Sequence, residues 1–277
     1  MSNWNTMKFK KIFTLFFCLS GFEMFCEDKS FVIVTASYNN KAWLQRNLDS
    51  VIEQKYDNWR MIYINDNSSD GTGELAQAYI TTHGLESKIK LINNNERYGH
   101  LFNQFYAIHS CNENEIIVIL DGDDWFAHDR VFDYLNKVYQ NSNVWLTYGQ
   151  FVFLKKNVKG ICRNIPADVI KNNSIRTFCE WNYSHVRTFY AALFKRVKQE
   201  DLMLDGDFLP MAADVATMYP MLEMCGTRFR FISDVLYVYN DTNELSFFHN
   251  QANKQKEIRT MICHKQKYER LGHALFN

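Results

Sequence analysis

Apolar runs and polar stretches alternate regularly through the first half of the chain. The apolar runs lie near residues 31–36, 60–65, 89–93, 116–120 and 144–148. They are short, rich in Val, Ile and aromatic residues, and apolar at nearly every position, which is typical of strands covered on both faces. Strands of this kind that alternate with helices predict βαβ units and a mainly parallel sheet.

The stretches between these strands have apolar residues at helical spacing. In the first of them, Leu44, Leu48, Val51 and Ile52 fall on one face of a helix. The pattern predicts helices at 41–54, 73–82, 101–109 and 127–140. The expected fold class is therefore α/β, with a mainly parallel central sheet flanked by helices.

The pattern is less regular beyond residue 148, and all three prolines of the chain, Pro166, Pro210 and Pro220, lie in this half. The predicted strands are 151–154, 187–194, 229–232 and 236–239, and the predicted helices are 170–179, 213–225 and 251–271. We interpret this half as an irregular extension of the same sheet, and not as a second independently folding domain.

The N-terminal segment differs from the rest of the chain. Lys8, Lys10 and Lys11 precede a short apolar run at 12–21. A basic start followed by such a run is typical of a secretory signal, and the run is short for a membrane span. We predict that residues 1–28 are a signal-like or membrane-associating segment. A disordered or peripherally attached amphipathic tail is the alternative, and a cytoplasmic location stays open.

Polar residues follow three of the predicted strands. The strand at 116–120 ends in the sequence Asp121-Gly122-Asp123-Asp124, and the strands at 31–36 and 60–65 also end in polar loops. Because the carboxyl ends of parallel strands meet at one edge of a sheet, these loops are expected to lie together. Two aspartates around a glycine can hold a divalent cation that also binds a substrate diphosphate. A solvated acidic turn is the alternative for the aspartates alone.

Composition excludes several classes of protein. The chain has 277 residues, of which 47% are hydrophobic and 16% aromatic, and this content excludes a disordered chain. Lys plus Arg and Asp plus Glu both total 31, so no global basic field favours binding to nucleic acid. The seven cysteines contain no CxxC pair, which predicts buried thiols and disfavours a structural zinc site.

Three motifs in order resemble those of family 2 glycosyltransferases with the Rossmann-like GT-A fold. They are Val32-Ile33-Val34-Thr35-Ala36-Ser37-Tyr38-Asn39, Asn65-Asp66-Asn67-Ser68-Ser69-Asp70-Gly71-Thr72 and Leu120-Asp121-Gly122-Asp123-Asp124. The resemblance covers most of the chain after residue 30. It implies an inverting transferase that moves a sugar from a nucleotide diphosphate, most commonly UDP in this family, to an acceptor hydroxyl. Residues 29–150 would form the nucleotide-sugar-binding half, and 151–277 the acceptor-binding half with a C-terminal helix.

The resemblance also implies donor-binding residues. Thr35, Ser37 and Asn39 would line the nucleotide pocket, and the carboxylate of Asp66 would accept hydrogen bonds from the base. Further expected contacts to the donor are Arg97, Asn103, Asp121 and Gly122. The positive charge of Arg97 suits a diphosphate, and a solvated loop arginine is the alternative.

The Asp-x-Asp pair of the family matches Asp121 and Asp123, which would hold Mn²⁺ or Mg²⁺ against the diphosphate. Asp123 is the expected direct ligand. The metal would offset the negative charge that develops on the leaving group. Asp124 would orient the loop through hydrogen bonds, and Trp125 would close the pocket or pack in the core.

An inverting reaction needs a base near the acceptor hydroxyl. The family has an acidic residue at the start of a helix in the second half, often after a glutamate, and Asp214 is the match here. Ala213 replaces the preceding acid. A helix N-cap is the alternative role for Asp214, and Asp205 and Asp207 are competing candidates for the base.

The family builds its acceptor pocket near the stretch that contains Trp181, His185 and Arg187. His185 and Arg187 would bind the acceptor or the diphosphate, and Trp181 would stack on a sugar ring, with core packing as the alternative. His249 is a possible late contact to metal or phosphate. A growing glycan, a lipid-linked sugar and a protein hydroxyl are all compatible acceptors.

Two enzyme classes and one non-enzymatic function compete with a glycosyltransferase. A nucleotidyltransferase is expected to have a glycine-rich phosphate loop after its first strand, and Ser37-Tyr38-Asn39-Asn40 contains no glycine. A Rossmann dehydrogenase is disfavoured by the same absence of G-x-G-x-x-G. The non-enzymatic alternative is a catalytically silent sugar-binding protein that keeps the GT-A fold.

Overall fold

A computed structural model of the chain describes residues 27–177, 181–243, 252–272 and 275–276. Most of the signal-like segment predicted at 1–28 lies outside the described residues, and so does His249. In the described part of the chain, no helix combines the length and apolar character needed to cross a membrane.

The described strands and helices follow one another in an α/β order. The strands are β1 Phe31–Ser37, β2 Trp59–Asn65, β3 Ile89–Asn93, β4 Ile116–Ile119, β5 Trp125–Phe126, β6 Leu146–Phe153, β7 Arg187–Tyr190, β8 Met203–Leu204, β9 Asp207–Phe208 and β10 Phe229–Tyr239. The α-helices are α1 Lys41–Ile52, α2 Thr72–Thr82, α3 His100–His109, α4 Val131–Tyr139, α5 Ala167–Lys171, α6 Ala191–Phe194, α7 Ala213–Cys225 and α8 Ala252–His264.

Eight of the described strands form one sheet, in the order β3-β2-β1-β4-β7-β6-β10-β5. Strands β3, β2, β1 and β4 are mutually parallel, with Ser37 of β1 beside Asn65 of β2. Strand β7 is antiparallel to both β4 and β6, so β6 runs in the same direction as β4. The carboxyl ends of β1, β2, β4 and β6 therefore lie at one edge of the sheet.

The parallel half of the sheet forms the centre of the core. All residues of β1 and β4 are buried, because helices cover both faces of these strands. Helix α1 buries Leu44, Leu48 and Val51, the face that its apolar spacing predicted. The predicted α/β fold with a mainly parallel sheet is confirmed.

Most predicted elements of the first half are confirmed within two residues at each end. Helix α4 is the exception, since it begins at Val131 and not at 127. The reason is β5, a strand that we did not predict, which pairs antiparallel with β10 before the chain turns into α4. Two residues are too few to give a detectable strand period.

The second half corrects the predictions in five places. The strands predicted at 144–148 and 151–154 are one strand, β6, and those at 229–232 and 236–239 are one bulged strand, β10. The predicted strand 187–194 ends at Tyr190 and continues as α6. The prediction of a helix at 170–179 is wrong, because α5 ends at Lys171. It is followed by Asn173 in a left-handed conformation (φ 47°) and by a 3-10 turn at Ile175–Thr177. The helix predicted at 251–271 ends at His264.

A buried ion pair joins α7 to the C-terminal part of the chain. Arg176 donates to both carboxylate oxygens of Glu223, over 2.7 and 2.8 Å, and to the carbonyl of Ile262 on α8. The backbone N–H of Tyr268 also donates to Glu223, over 3.0 Å. The thiols of Cys111, Cys162 and Cys225 are buried and free, as the cysteine pattern predicted for them.

Candidate active site

The loop after β4 is held tightly against the end of β1. The side-chain amide of Asn47 on α1 donates to the carbonyls of Asp121 (2.9 Å) and Asp124 (2.7 Å). A Cβ added to Gly122 would lie 2.7 Å from both Ser37 Oγ and Asn40 Nδ2. Only glycine therefore fits between the loop and the first strand without displacing one of them.

Tyr237 of β10 fixes the same loop from the other side. Its hydroxyl accepts a hydrogen bond from the backbone N–H of Asp121 (3.1 Å) and donates to the carboxylate of Asp124 (2.8 Å). The backbone N–H of Asn240 donates to the second oxygen of Asp124, over 2.7 Å. Asp124 thus makes hydrogen bonds of the kind expected of it. Burial, together with the charges of Asp123 and Asp121, raises its pKa well above the usual range.

Asp121 lies among cationic and imidazole groups. Its Oδ2 accepts a hydrogen bond from Arg187 Nη2 over 3.3 Å, and its Oδ1 lies 3.5 Å from His100 Nε2. Arg187 is on β7 beside Ile119 of β4, and its side chain is buried. Burial alone would raise the pKa of Asp121, but Arg187, with contributions from His100 and His185, holds it below its usual value.

Asp123 has no neighbouring positive charge of the kind that stabilises the Asp121 carboxylate. Its carboxylate accepts a hydrogen bond from the side-chain amide of Asn243 over 2.7 Å. Within the described ranges no basic side chain forms an ion pair with it. Burial and the neighbouring charge of Asp121 raise its pKa to about 6. The loop therefore carries negative charge that the described protein groups do not neutralise.

The donor atoms of this loop fit a divalent cation. Asp121 Oδ1 is buried, and no hydrogen bond reaches it from the described residues. Ligand atoms of Asp121, Asp124 and His185 lie within 4.8 Å of one another. Carboxylate oxygens are ligands that Mg²⁺ and Mn²⁺ accept, and imidazole is a common transition-metal ligand. Asp123, the predicted direct ligand, lies outside this group, on the side of the loop that faces Asn243.

The end of β1 differs from the expected pocket lining. Thr35 and Ser37 are only 0% and 1% exposed. Ser37 Oγ accepts hydrogen bonds from the hydroxyl of Tyr63 (2.9 Å) and the amide of Asn40 (3.2 Å). The side chains of Thr35 and Ser37 therefore support the strand end from within the fold and do not line an open pocket.

Asn39 links the loops after β1 and β2. Its backbone is in the left-handed region (φ 53°), and its side-chain oxygen accepts a hydrogen bond from the backbone N–H of Ser69 over 2.9 Å. Its own backbone N–H donates to Ser68 Oγ, over 2.9 Å. Asparagine tolerates this conformation better than most residues, which explains its place at the turn.

Asp66, at the end of β2, anchors the loop that follows β3. Its carboxylate accepts hydrogen bonds from the amide of Asn94 (2.9 Å) and from the backbone N–H groups of Tyr98 (3.0 Å) and Gly99 (2.8 Å). Burial raises the pKa of Asp66, but the nearby amide of Asn103 and these hydrogen bonds outweigh it, so that the pKa lies below its usual value. Asp66 is therefore ionised at neutral pH.

Arg97 and Asn103 have different surroundings. The Arg97 guanidinium is exposed and lies 3.8 Å from the centre of the Tyr38 ring. Asn103 is 5% exposed; its oxygen accepts from Asn94 (2.8 Å), and its nitrogen donates to the carbonyl of Gly99 (2.9 Å). Arg97 remains accessible to a donor molecule, whereas both polar atoms of Asn103 bind the loop.

Asp214 lies in the first turn of α7 and is partly exposed. Its Oδ1 accepts a hydrogen bond from the backbone N–H of Val215 over 2.9 Å, and the N-cap position belongs to Ala212. The charge of Asp214 acts on His100, which itself lies 3.5 Å from Asp121 Oδ1. The fold thus places Asp214 within electrostatic range of His100, which lies beside Asp121.

The three predicted acceptor residues separate into two groups. The ring of His185 is 7% exposed and stacks on Tyr237 with 4.3 Å between ring centres. Burial and the charge of Arg187 lower the pKa of His185 to about 3, so its imidazole is neutral. Trp181 packs instead against Tyr183 and Tyr219, with ring centres 5.5 and 5.8 Å apart. His185 and Arg187 therefore join the Asp121 cluster, and Trp181 joins an aromatic cluster beside α7.

His100 is the main site residue that the sequence did not single out. It is the first residue of α3, and its Nε2 lies 2.7 Å from Gln104 Nε2. Burial lowers its pKa despite the charge of Asp121. Asn47, Tyr237 and Asn243 were missed too, because each reaches the aspartate loop from a distant part of the chain. The sequence holds no signal that distinguishes them from ordinary polar residues.

The chain is similar in sequence to known glycosyltransferases. The glucosyltransferase WfgD of Escherichia coli, which acts from UDP-Glc on alpha-D-GlcNAc-diphosphoundecaprenol, is 25% identical over 131 residues, 47% of this chain and 49% of its own. The chain spans less than half of the length of each curated relative it matches.

Two solved structures share the fold. The S. aureus protein TarS in complex with UDP-GlcNAc superposes with a TM-score of 0.62 at 16% identity, over 84% of this chain and 65% of TarS. The mannosyltransferase PcManGT of Pyrobaculum calidifontis, in complex with GDP-Man and Mn²⁺, gives 0.51 at 18% identity, over 84% of this chain and 61% of its own. At these identities the likeness shows the GT-A fold alone.

A family model matches most of the chain, including the three motifs on which the resemblance rests. Residues 32–203 match Glycosyl transferase family 2. This range contains β1 from its second residue, all of β2 and β4, and the loops that follow them, including Asp66 and the aspartates 121, 123 and 124. The chain belongs to glycosyl transferase family 2.

Proposed function

We propose that this protein is a metal-dependent, inverting glycosyltransferase that takes a sugar from a nucleotide diphosphate, with UDP as the nucleotide. One observation carries the proposal: the aspartate loop after β4 lies at the carboxyl edge of the sheet, with uncompensated charge on Asp123 and with Asp214 near the same cluster. Residues 29–150 would carry the donor half and 151–277 the acceptor half.

The donor half would bind the nucleotide between the ends of β1 and β2. Asp66 is ionised, and its Oδ2 accepts one hydrogen bond from the described protein groups, so a lone pair is available to a ring N–H of the base. Asn39, Tyr38 and Arg97 would border the same nucleotide site, and the exposed guanidinium of Arg97, 3.8 Å from the centre of the Tyr38 ring, would bind the diphosphate. The complex of TarS with UDP-GlcNAc supports UDP as the nucleotide.

Asp121 and Asp123 would hold Mn²⁺ or Mg²⁺. His185 and Asp124 lie close to Asp121, and Asp123 would have to turn from Asn243 towards the ion. When bound, the cation supplies positive charge to the leaving diphosphate, which removes the need for an acid on that side. The Mn²⁺ in the PcManGT complex supports this assignment. Gly122 allows the loop to approach β1, and Arg187 keeps Asp121 ionised.

Asp214 would act as the base that removes the proton from the acceptor hydroxyl. A helix N-terminus stabilises a carboxylate, and the partly exposed side chain can accept a proton from a bound acceptor. His185 and Arg187 would orient the acceptor or the diphosphate, and Trp181 would lie farther along the acceptor path. WfgD acts on a diphosphoundecaprenol-linked sugar, which supports a lipid-linked or glycan acceptor over a protein hydroxyl.

A donor screen tests the proposal. The purified chain would be incubated with a panel of nucleotide sugars in Mn²⁺, Mg²⁺ or EDTA, with and without lipid-linked sugar acceptors, and released nucleotide diphosphate would be measured. We expect release from a UDP-sugar in Mn²⁺ or Mg²⁺ and background release in EDTA. Asp123→Asn should abolish release, and Asp168→Asn, at an exposed position on α5, serves as the matched control.

The alternative function is a catalytically silent sugar-binding protein. Such a protein would bind a nucleotide sugar in the presence of metal and release no diphosphate with any acceptor. Release that persists unchanged in EDTA would instead contradict the metal-dependent mechanism.

A further inference from the structure

A basic hairpin projects from the end of β6. We use this name for residues 153–163, which contain Lys155, Lys156, Lys159 and Arg163. The chain contains no acidic residue between Asp133 and Asp168, although its total charge is balanced at 31 basic and 31 acidic residues. This stretch therefore has a local positive charge that the composition as a whole conceals.

The hairpin is an ordered feature of the fold. Backbone hydrogen bonds run from Phe153 N–H to the carbonyl of Val158 (2.9 Å) and from Gly160 N–H to the carbonyl of Phe151 (2.8 Å). A Cβ added to Gly160 would lie 2.4 Å from the Phe151 ring, so glycine allows the returning strand to close on it. The side-chain amide of Gln150 also donates to the carbonyl of Cys162, over 2.9 Å.

Two aliphatic side chains stand out from the hairpin between its basic residues. Ile161 is 70% exposed, the largest value among the large hydrophobic residues that the structure describes, and Val158 is 51% exposed. Lys155, Lys156 and Lys159 are also exposed, and Lys156 Nζ lies 5.0 Å from the centre of the Phe153 ring. On a lipid surface, exposed aliphatic side chains can contact acyl chains while the lysines beside them bind anionic headgroups.

We propose that the basic hairpin docks this protein on an anionic membrane surface, with Val158 and Ile161 inserted at the level of the headgroups. A soluble polyanion, such as an anionic glycan, would also attract the lysines. It would gain nothing from Val158 and Ile161, so these two residues favour a lipid surface. Asp133 and Asp168, the acidic residues nearest in sequence, lie outside the hairpin, and Asp241 contacts it through the backbone N–H of Lys155.

The position of the hairpin gives docking a consequence that rests on the proposed function. Strands β6 and β4 run in the same direction, so the hairpin extends from the sheet edge that carries Asp121 and Asp123. The backbone N–H of Lys155 donates to Asp241 (2.6 Å), next to Asn240, which binds Asp124. A membrane bound at the hairpin would bring a lipid-linked acceptor close to the active-site edge.

Vesicle binding of the full chain tests the proposal without catalysis. The protein would be sedimented with vesicles of phosphatidylcholine alone or of phosphatidylcholine with phosphatidylglycerol. We expect binding to the anionic vesicles, and a loss on the order of a hundredfold in the triple variant Lys155→Gln, Lys156→Gln, Lys159→Gln, because each cation near an anionic surface contributes about fivefold. The control variant removes three positive charges from exposed positions outside the hairpin, Lys90→Gln, Lys254→Gln and Lys256→Gln. It should bind the vesicles as the wild type does.

Hydrogen exchange separates the hairpin from any other attachment. On the anionic vesicles, amides of residues 153–161 should exchange more slowly than in the free protein, and Val158→Ser with Ile161→Ser should remove this protection. Unchanged exchange in vesicle-bound protein, or no binding to vesicles, would overturn the proposal. It would also be overturned if vesicle binding fell in the lysine variant and stayed at the wild-type level in the serine variant, since this outcome would assign the hairpin to an anionic polymer. Because neither readout needs turnover, failure of docking and failure of the proposed transfer are distinguishable.

Discussion

Gly122 shows how a single residue type decides the geometry of the site. Its neighbours, Asp121 and Asp123, lie on a loop that contacts the end of β1, and that contact leaves no space for a side chain. The sequence indicated that a glycine between two aspartates would allow close approach. In the structure, the backbone of Gly122 lies close to the side chains of Ser37 and Asn40.

Gly122→Ala is expected to displace the aspartate loop. The new methyl group would overlap Ser37 Oγ and Asn40 Nδ2, which should lower the free energy of unfolding by about 1–3 kcal/mol and weaken metal-dependent UDP binding. Urea denaturation and calorimetry would measure the two effects. Gly272→Ala is the matched control, since its added Cβ would meet nothing within 4 Å. Wild-type stability in Gly122→Ala would show that the loop is not confined as described.

Asp214→Asn tests the assignment of the base. The amide keeps the size of the side chain but accepts no proton, so transfer should fall by about 10²–10⁴-fold while UDP binding stays unchanged. Steady-state transfer assays and UDP titration measure the two quantities. Asp207→Asn, at the exposed competitor position on β9, should retain activity. Full turnover in Asp214→Asn would place the base elsewhere.

At the scale of elements, the C-terminal segment packs on α7, the helix whose first turn contains Asp214. Helix α7 is buried along almost its whole length, and Glu223 within it is 0% exposed. A carboxylate at such a position requires a buried partner, which Arg176 supplies from the 3-10 turn after α5. The ion pair thereby links α7, this turn and α8.

Glu223→Gln should destabilise the protein strongly. The substitution keeps the shape of the side chain but leaves the buried Arg176 guanidinium without its charge partner, which costs about 3–5 kcal/mol. Urea denaturation would measure the loss, with Glu257→Gln on the exposed face of α8 as the control. A change below about 1 kcal/mol would show that water or another group compensates Arg176.

At the scale of the whole molecule, local pattern predicted the parallel half of the sheet well. Strands β1, β2 and β4 are continuous apolar runs because helices cover both of their faces, and this burial is visible in the sequence. The second half was harder to predict because β7 runs antiparallel and β10 contains bulges that interrupt its alternation. Contacts such as Tyr237 to Asp124 join residues more than one hundred positions apart, so no local pattern predicts them.

The pH dependence of stability is a further property of the whole molecule. Glu115, before β4, receives two hydrogen bonds from Arg60 on β2, each 2.8 Å long. Burial raises the pKa of Glu115, but Arg60 and the backbone N–H of Asn112 outweigh it and hold the pKa below the usual value of 4.5. A lowered pKa in the folded state means that this contribution is present above 4.5 and is lost as the pH falls below it.

Glu115→Gln should therefore cost about 1–2 kcal/mol at pH 7, a modest value because Arg60 is partly exposed to water. The difference from the wild type should shrink as the pH falls below 4.5. Urea denaturation of both proteins between neutral and acidic pH checks this expectation. A difference that stays constant with pH would show that the ion pair does not supply it.

We infer that the aspartate loop binds a nucleotide diphosphate through a divalent cation. The most direct test of this binding is calorimetric titration of UDP into the wild type and into Asp123→Asn, each in Mn²⁺ and in EDTA. We predict that UDP binds the wild type in Mn²⁺ and binds at least tenfold more weakly, by about 1.4 kcal/mol or more, when either the metal or the carboxylate is removed. Equal affinity under all four conditions would show that the aspartate loop does not bind UDP through a metal ion.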